Sequence, residues 1–556
     1  MNEYIINKTI SKSGHEIIEV NGFLLHSKYN PIREAEQFVE KEYKENYLHI
    51  LFGYGVGYIA NILKEKLPVD DFIIVEPIEE LVNDESILHT NISDIKNRIT
   101  KGLVNKIKEI KVICSPNYDK IAPIAYKELL EIVKTSQVYN AADINTVQLY
   151  SYEWQENYWK NLIYVLQDSS LSVLEKKYNS PVIIASSGPS LDKQLGKLKE
   201  IKDKVIILCA GSTINPLIKG GIDPDYIVTV DGSEANYGHF KDIKTTATLL
   251  YCLMSKYKIQ KEYKANRVPF LANGDGNFQG FLEEEFGKCV PIVNGGISVA
   301  NFTFTIAQYI TSGPIAFIGQ DLAYTNNLSH SAANKYVKNT KDEDNLIEVD
   351  GYYGDKVKTS YPLLFMKNNF EELIKLSNHA APIYNCTEGG ARINGIKQIS
   401  FDNFIKEFVD KANTKNSIIF SNEQSSLNKL DNIWCEHLKR LEKLKLDINN
   451  AIYLVKEVKK KGIFPNSAVN KLNKIDKKIE KVCEEVLLSH ITQPLVKNIL
   501  SLYKEVQNET EIQQFERICN LNMALYKGLS DVVAFSEQFL KESLTILREE
   551  KGDNNE

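Results

Sequence analysis

No stretch of this sequence approaches the roughly 20 consecutive apolar residues that a bilayer-spanning helix needs. The opening MNEYIINKTI also lacks the apolar core of an export signal. These absences predict a cytoplasmic protein with no membrane span. The eight cysteines (Cys114, Cys209, Cys252, Cys289, Cys386, Cys435, Cys483, Cys519) form no CxxC and no Cys/His pair at zinc spacing. Reduced, mostly buried thiols are expected instead. An excess of positive charge is missing too: the net charge is −6, which argues against a dedicated nucleic-acid binder.

The chain has 556 residues, 43% apolar and 25% charged, ordinary values for a globular protein but too long for a single core. In residues 1 to about 135, YLHILF, DFIIVEP and IKVIC alternate with helical patterns, the signature of a parallel sheet. An aromatic-rich helical stretch, VQLYSYEWQENYWKNLIYVL, follows and reads as a domain junction. A second series of strands comes at PVIIA, KVIILCA, YIVTV, TLLYCL and PIAFIG. After about Ser400 apolar residues recur only at helical spacing, through Leu427, Leu430, Trp434 and Leu441, and again through Leu472, Ile475 and Ile479. The predicted class is α/β: two Rossmann-like parallel-sheet domains (1–140 and 141–400) followed by an all-α helical bundle (401–556).

Two glycine turns compete for a ligand. FGYGVGY sets Gly53, Gly55 and Gly57 between a strand and a helix, and Glu76 ends the next strand. The pair resembles the S-adenosylmethionine-binding half of a methyltransferase, with the acid placed for ribose hydroxyls. A tight strand-to-helix crossing explains the glycines equally well, and no catalytic constellation follows. The second turn, PVIIASSGPSLD, offers the hydroxyls of Ser186 and Ser187, close approach at Gly188, a fixed φ at Pro189 and a helix cap in Ser190. Other small or polar turns end the neighbouring strands: Gly211-Ser212, Asp231, Asn294-Gly295-Gly296 with Ser298, and IGQDLAYTNNLSHS with Asp321, Tyr324 and His330. Loops at the carboxyl ends of parallel strands line a common crevice, so these turns are predicted to converge.

GPSL after a strand, DPDYIVTVDG, NGGISVA, GQDLAY followed by SHS, YNCTEGGARING and the early LHSKYNPIREAE together resemble the motility-associated factor glycosyltransferases. The likeness spans most of residues 20 to 400. It implies a flagellin glycosyltransferase that moves a pseudaminic- or legionaminic-type nonulosonic acid from its CMP-activated form to Ser or Thr hydroxyls. The middle domain is also similar to bacterial sialyltransferases that use CMP-sialic acid through a GPSL turn. By this resemblance Ser187, Gly188, Pro189 and Ser190 form the nucleotide turn and Ser298 lies near the phosphate. Asp231 stands close to the donor, and Glu388 and Arg392 of TEGGARI hold donor or acceptor. His330 is the base, or takes the place of a cleft tyrosine, because it follows Tyr324 by only six residues; Tyr324 and Asp321 complete the catalytic set.

Displacement of CMP needs a base for the acceptor hydroxyl and stabilisation of the departing phosphate. It requires no cofactor; were a divalent cation, Mg or Mn, to serve, Asp231 is the candidate ligand. The partners implied are flagellin and the CMP-activated sugar, with no nucleic acid. Two other readings stand beside this one. A pterin-type pyrophosphokinase using ATP and Mg would share the middle domain, and a non-catalytic flagellin-binding partner would leave both turns vestigial. YYGDKVKTSY is either an aromatic acceptor platform or only a hairpin, and the helical end either docks the acceptor or is a solvated bundle.

Overall fold

In the computed structural model the apolar runs of the chain pair as parallel strands. Residues 4–82, 87–89, 94–96, 98–99, 109–332, 334, 346–409, 415, 418, 420, 426–505 and 509–553 are described, without the side chains of 70, 139–144 and 553. The chain forms two compact units, residues 1–149 with 494–510 and residues 150–493 with 511–556. Their boundary falls within one continuous helix, Pro123–Val165. No described helix is long and apolar enough to cross a membrane.

The first unit opens with an antiparallel sheet of β1 (Ile6–Ile10), β2 (Glu16–Val20) and β3 (Phe23–Leu24). β4 (Leu48–Phe52), β5 (Phe72–Val75), β6 (Ile87–Leu88) and β7 (Ile110–Cys114) then pair in the order β6-β5-β4-β7, all parallel. Ile50, Phe52, Ile73, Val75 and Tyr118 fill one side of this sheet.

The second unit is built on nine strands: β8 (Val182–Ala185), β9 (Ile206–Ala210), β10 (Tyr226–Thr229), β11 (Thr248–Cys252), β12 (Arg267–Ala272), β13 (Ile292–Val293), β14 (Ile315–Ile318), β17 (Ile383–Asn385) and β18 (Lys397–Gln398). β15 (Ile347–Asp350) and β16 (Lys356–Thr359) form a separate hairpin between β14 and β17. All neighbours in the large sheet run parallel, in the order β13-β12-β11-β10-β9-β8-β14-β17-β18. β8, β11 and β14 are buried throughout, as expected of parallel strands covered on both faces. The helix Val299–Ile310 packs Phe304 against Phe317 of β14, ring centroids 5.2 Å apart, and Phe317 meets Phe370 at 5.3 Å.

β12 is a strand that the sequence reading passes over; Pro269 lies within it. It tolerates the proline because β13 pairs only with Leu271 and Ala272, so no described strand flanks Pro269 on that side. The chain walks outward from β8 to β13 and then returns to place β14 on the other side of β8. Strand order therefore reverses between β8 and β14, the switch point at which open parallel sheets form their ligand crevice.

In the helical end, Leu427–Lys461 packs against Glu511–Asp553 and Asn466–Glu485. Leu430, Trp434, Leu441, Ile448 and Val455 are buried on its inner side, and Gly462 ends it at a φ of 71°.

Candidate functional site

The turn after β8 and the turn after β14 are bound to each other at the switch point. Gly188 N–H donates to Gly319 O at 2.9 Å. Its φ is an ordinary −67°, so glycine is needed here for space. A Cβ would overlap Asp321 Oδ1 and stand 2.5 Å from Gly319 O. Asp321 is 2% exposed. Its Oδ1 accepts Ser190 N–H at 3.2 Å, and its Oδ2 accepts the hydroxyls of Ser190 at 2.7 Å and Thr325 at 2.5 Å. Burial raises the Asp321 pKa, and the hydrogen bonds from Thr325 and Ser190 oppose the rise. Its carboxylate thus faces the chain's own donors and braces the turn. The Gly188 and Ser190 N–H groups, expected to cradle a phosphate, are thus paired with Gly319 and Asp321 of the turn after β14.

The loop after β17 closes on the same place. Gly390, at a φ of 68°, brings its backbone so near that a Cβ would overlap Asp321 O, and a Cβ on Gly389 would overlap Ser190 Oγ. Ala391 N–H donates to Asp321 O at 2.7 Å. Glu388 accepts Phe401 N–H at 3.0 Å, while the Arg392 side chain is exposed and its N–H donates to Asp350 O at 2.8 Å. YYGDKVKTSY is a hairpin, and its tip carries Tyr353, 72% exposed, whose hydroxyl donates to Glu388 O at 3.1 Å.

His330 comes to the switch point through its neighbours. Leu322, at a φ of 52°, and Asn326 and Asn327, both at positive φ, turn the chain back after β14. Ser331 N–H then donates to Ser187 O at 2.7 Å, and Ser329 Oγ meets His330 Nδ1 at 2.9 Å. Ser187 Oγ and Ser212 Oγ, from the turns after β8 and β9, lie 3.3 Å apart. Tyr324 is buried, with its N–H donated to Lys358 O at 2.8 Å. The structure therefore gathers Ser187, Gly188, Pro189, Ser190, Gly211, Ser212, Asp321 and the His330 segment.

Other sequence candidates lie farther along the sheet. Asp231 follows β10, two strands from β8; it is exposed and its Oδ1 accepts Ser233 N–H at 2.9 Å. Asn294, Gly295 and Gly296 follow β13, the edge strand, which itself lies five interstrand spacings or roughly 24 Å from β8. There Gly295 makes room for the Phe302 ring and Gly296 for Asn369. Ser298 caps the helix Val299–Ile310 by accepting Asn301 N–H at 3.2 Å. Among the described residues no three His, Cys, Asp or Glu side chains gather as ligands for one ion.

Some participants were missed from sequence. Gln194 accepts Gly319 N–H at 3.2 Å and donates to Cys386 O, tying the ends of β14 and β17. Thr325 supports Asp321, and Asn334 donates to Ser212 O at 3.1 Å. Asp192, the last residue of SSGPSLD, accepts the Ser331 hydroxyl at 2.5 Å. Its place beside the glycine turn was the one available signal.

The first unit's glycine turn holds an anion of its own. Glu76 is fully buried; its Oε2 accepts Tyr54 N–H at 2.7 Å, Gly55 N–H at 3.2 Å and the Tyr118 hydroxyl at 2.7 Å, and its Oε1 accepts Ile78 N–H at 2.9 Å. Burial raises its pKa against these four hydrogen bonds. His26 Nε2 accepts Val56 N–H at 3.0 Å, and burial lowers the imidazole to about 4. The acid expected to meet a ribose is thus turned onto the glycine loop, and Gly53 packs on the Tyr118 ring.

Residues 156–327 match the family described as 6-hydroxymethylpterin diphosphokinase MptE-like. The solved structure of a Maf glycosyltransferase from Magnetospirillum magneticum AMB-1 superposes with a TM-score of 0.50 at 14% identity, over 98% of this chain and 91% of that one. At that identity the likeness is one of fold. No curated protein matches the chain.

Proposed function

We propose that the chain is a glycosyltransferase that moves a nonulosonic acid, pseudaminic- or legionaminic-type, from its CMP-activated donor to Ser or Thr hydroxyls of flagellin. The observation that carries the reading is the meeting of the Ser187–Gly188 turn, Ser212 and His330 at the point where strand order reverses. The likeness in fold to a glycosyltransferase supports it. In this reading residues 141–400 are the catalytic domain, set between a Rossmann-like domain and a helical bundle, in a cytoplasmic enzyme.

The donor's single phosphate meets the Ser187 and Ser212 hydroxyls, which strengthen their hydrogen bonds as charge develops on departing CMP. The His330 imidazole takes the proton of the acceptor hydroxyl as general base. The acceptor oxygen bonds to the anomeric carbon as the carbon–oxygen bond to CMP breaks, inverting that centre. Asp321 acts on geometry, holding Ser190 and through it the donor turn. Arg392 and the exposed Tyr353 stand at the rim, placed for the acceptor or the sugar. Asp231, two strands away, is the residue to which a divalent cation, if one served, would be assigned, and no step depends on it.

The test is calorimetric titration with CMP, with ATP and S-adenosylhomocysteine as comparators, followed by transfer from CMP-nonulosonates to flagellin. Saturable CMP binding weakened by Gly188→Trp supports the reading. The match of residues 156–327 favours a second one, diphosphoryl transfer from ATP to a hydroxymethylpterin; binding of ATP without CMP would select it.

A further inference from the structure

The position of His330 depends on a contact between segments about 140 residues apart. Ser331 Oγ–H donates to Asp192 Oδ1 at 2.5 Å, and Ala332 N–H donates to Asp192 Oδ2 at 3.1 Å. Both carboxylate oxygens of one side chain are therefore directed at the residues that follow His330. Asp192 itself belongs to the helical turn Pro189–Lys193 that begins at the donor glycine. The side chain is solvent-exposed, whereas Ser331 is fully buried. An aspartate in the first turn of a helix commonly serves its own backbone N–H groups; here the two carboxylate oxygens accept from Ser331 and Ala332 of the distant loop.

Two further ties complete the attachment. Ser331 N–H donates to Ser187 O at 2.7 Å, and the Asn334 side chain donates to Ser212 O at 3.1 Å. Residues 319–332 contain no helix or strand, so the regular backbone ladders that fix most side chains are missing around His330. These individual bonds tie the segment to the turns after β8 and β9, and the pair to Asp192 is made to a carboxylate, the stronger kind of acceptor.

We infer that Asp192 is a positioning residue that latches the His330 loop onto the donor turn. It touches neither sugar nor phosphate; it fixes the distance between the imidazole and the Ser187–Ser212 hydroxyl pair. The catalytic consequence rests on the glycosyltransferase reading above. The latch itself does not.

The test uses the full-length protein with Asp192→Ala, Asp192→Asn and Ser331→Ala. Hydrogen exchange followed by mass spectrometry reads the peptide covering 328–332, calorimetry reads CMP affinity, and transfer kinetics read kcat and the donor KM separately. Loss of two bonds to a charged acceptor is expected to speed exchange at Ser331 and Ala332 about 10- to 100-fold in Asp192→Ala. Asp192→Asn, which keeps one acceptor oxygen, should fall between, and Ser331→Ala should lose only the hydroxyl bond. Expected with this is a fall in kcat at unchanged donor KM and CMP affinity. Unchanged exchange in Asp192→Ala would overturn the latch, and faster exchange at full kcat would overturn the positioning role. If the wild-type protein neither binds CMP nor transfers sugar, the function reading fails on its own, and exchange alone upholds or overturns the latch.

Discussion

Asp321 offers a sharp comparison between two substitutions. Asp321→Ala removes the acceptor for Ser190 N–H and Ser190 Oγ–H, both buried, and for the Thr325 hydroxyl. Each orphaned buried donor costs about 1–3 kcal/mol. Thr325 is the best placed of the three to turn toward water, so two orphaned donors dominate, about 2–6 kcal/mol in all. Asp321→Asn keeps an oxygen for Ser190 N–H, and its amide donates to the two hydroxyls, which rotate to accept; a loss under about 1 kcal/mol at pH 7 is expected. The carboxyl also predicts a pH trend. Burial raises its folded pKa above the ordinary value near 4, so the folded state binds the extra proton between those values. The contribution of Asp321 to stability is fullest below about pH 4 and is lost as pH rises through the raised pKa. Asparagine cannot ionise, so Asp321→Asn should gain on the wild type across that rise. Trp154, Trp159 and Trp434 all lie in the second unit, and their fluorescence during urea unfolding reads that unit. If Asp321→Asn were as unstable as Asp321→Ala at every pH, the account of Asp321 as a brace would be refuted.

Other expectations follow from single contacts. Gly188→Ala sets a methyl on Asp321 Oδ1 and Gly319 O and should weaken CMP binding at least about tenfold, whereas Gly196→Ala, in open helical space, should stabilise by about 0.5 kcal/mol; calorimetry and urea midpoints check both. Because Glu76 occupies the first glycine turn, S-adenosylhomocysteine should give no binding heat, and a saturable isotherm would contradict the geometry. Asp275 and His490 lie 3.5 Å apart; burial raises the acid to about 6 and lowers the imidazole to about 4. As pH rises between those values the acid loses stability and the histidine gains it, so their contributions oppose each other. Asp275→Asn should then show stability rising from about pH 4 to 6.5 where the wild type is level, and parallel urea-midpoint curves would count against this.

The strands most legible in sequence were those buried on both faces, such as PVIIA and PIAFIG, because continuous apolar runs between turn residues have few other readings. β12 was passed over although RVPFLA is mostly apolar; its Pro269 sits where one side carries no described pairing partner, which only the tertiary neighbourhood shows. Strand order is not written in local pattern at all. The reading that all the small-residue turns converge held for Ser187, Ser212 and the His330 segment; it did not reach Asn294, which the order of strands carries to the sheet's edge. Ser298 and the Gly295-Gly296 pair have local tasks in a helix cap and close packing, and a cap has the same residue signature as an anion site. Asp192 had only its place beside the glycine turn to mark it, and Gln194 had nothing, because their partners lie more than a hundred residues along the chain.

The inclusion of residues 494–510 in the first unit has a consequence for synthesis. Residues 1–149 leave the ribosome early, yet their unit is incomplete until position 510 has been translated, 361 residues later (510 − 149). At about 5–20 residues per second that delay is roughly 20–70 s. During it the first unit lacks one of its two segments, a window in which a chaperone or an early-formed intermediate must keep it from aggregating. A premature stop before residue 510 would therefore deprive residues 1–149 of a segment of their own unit.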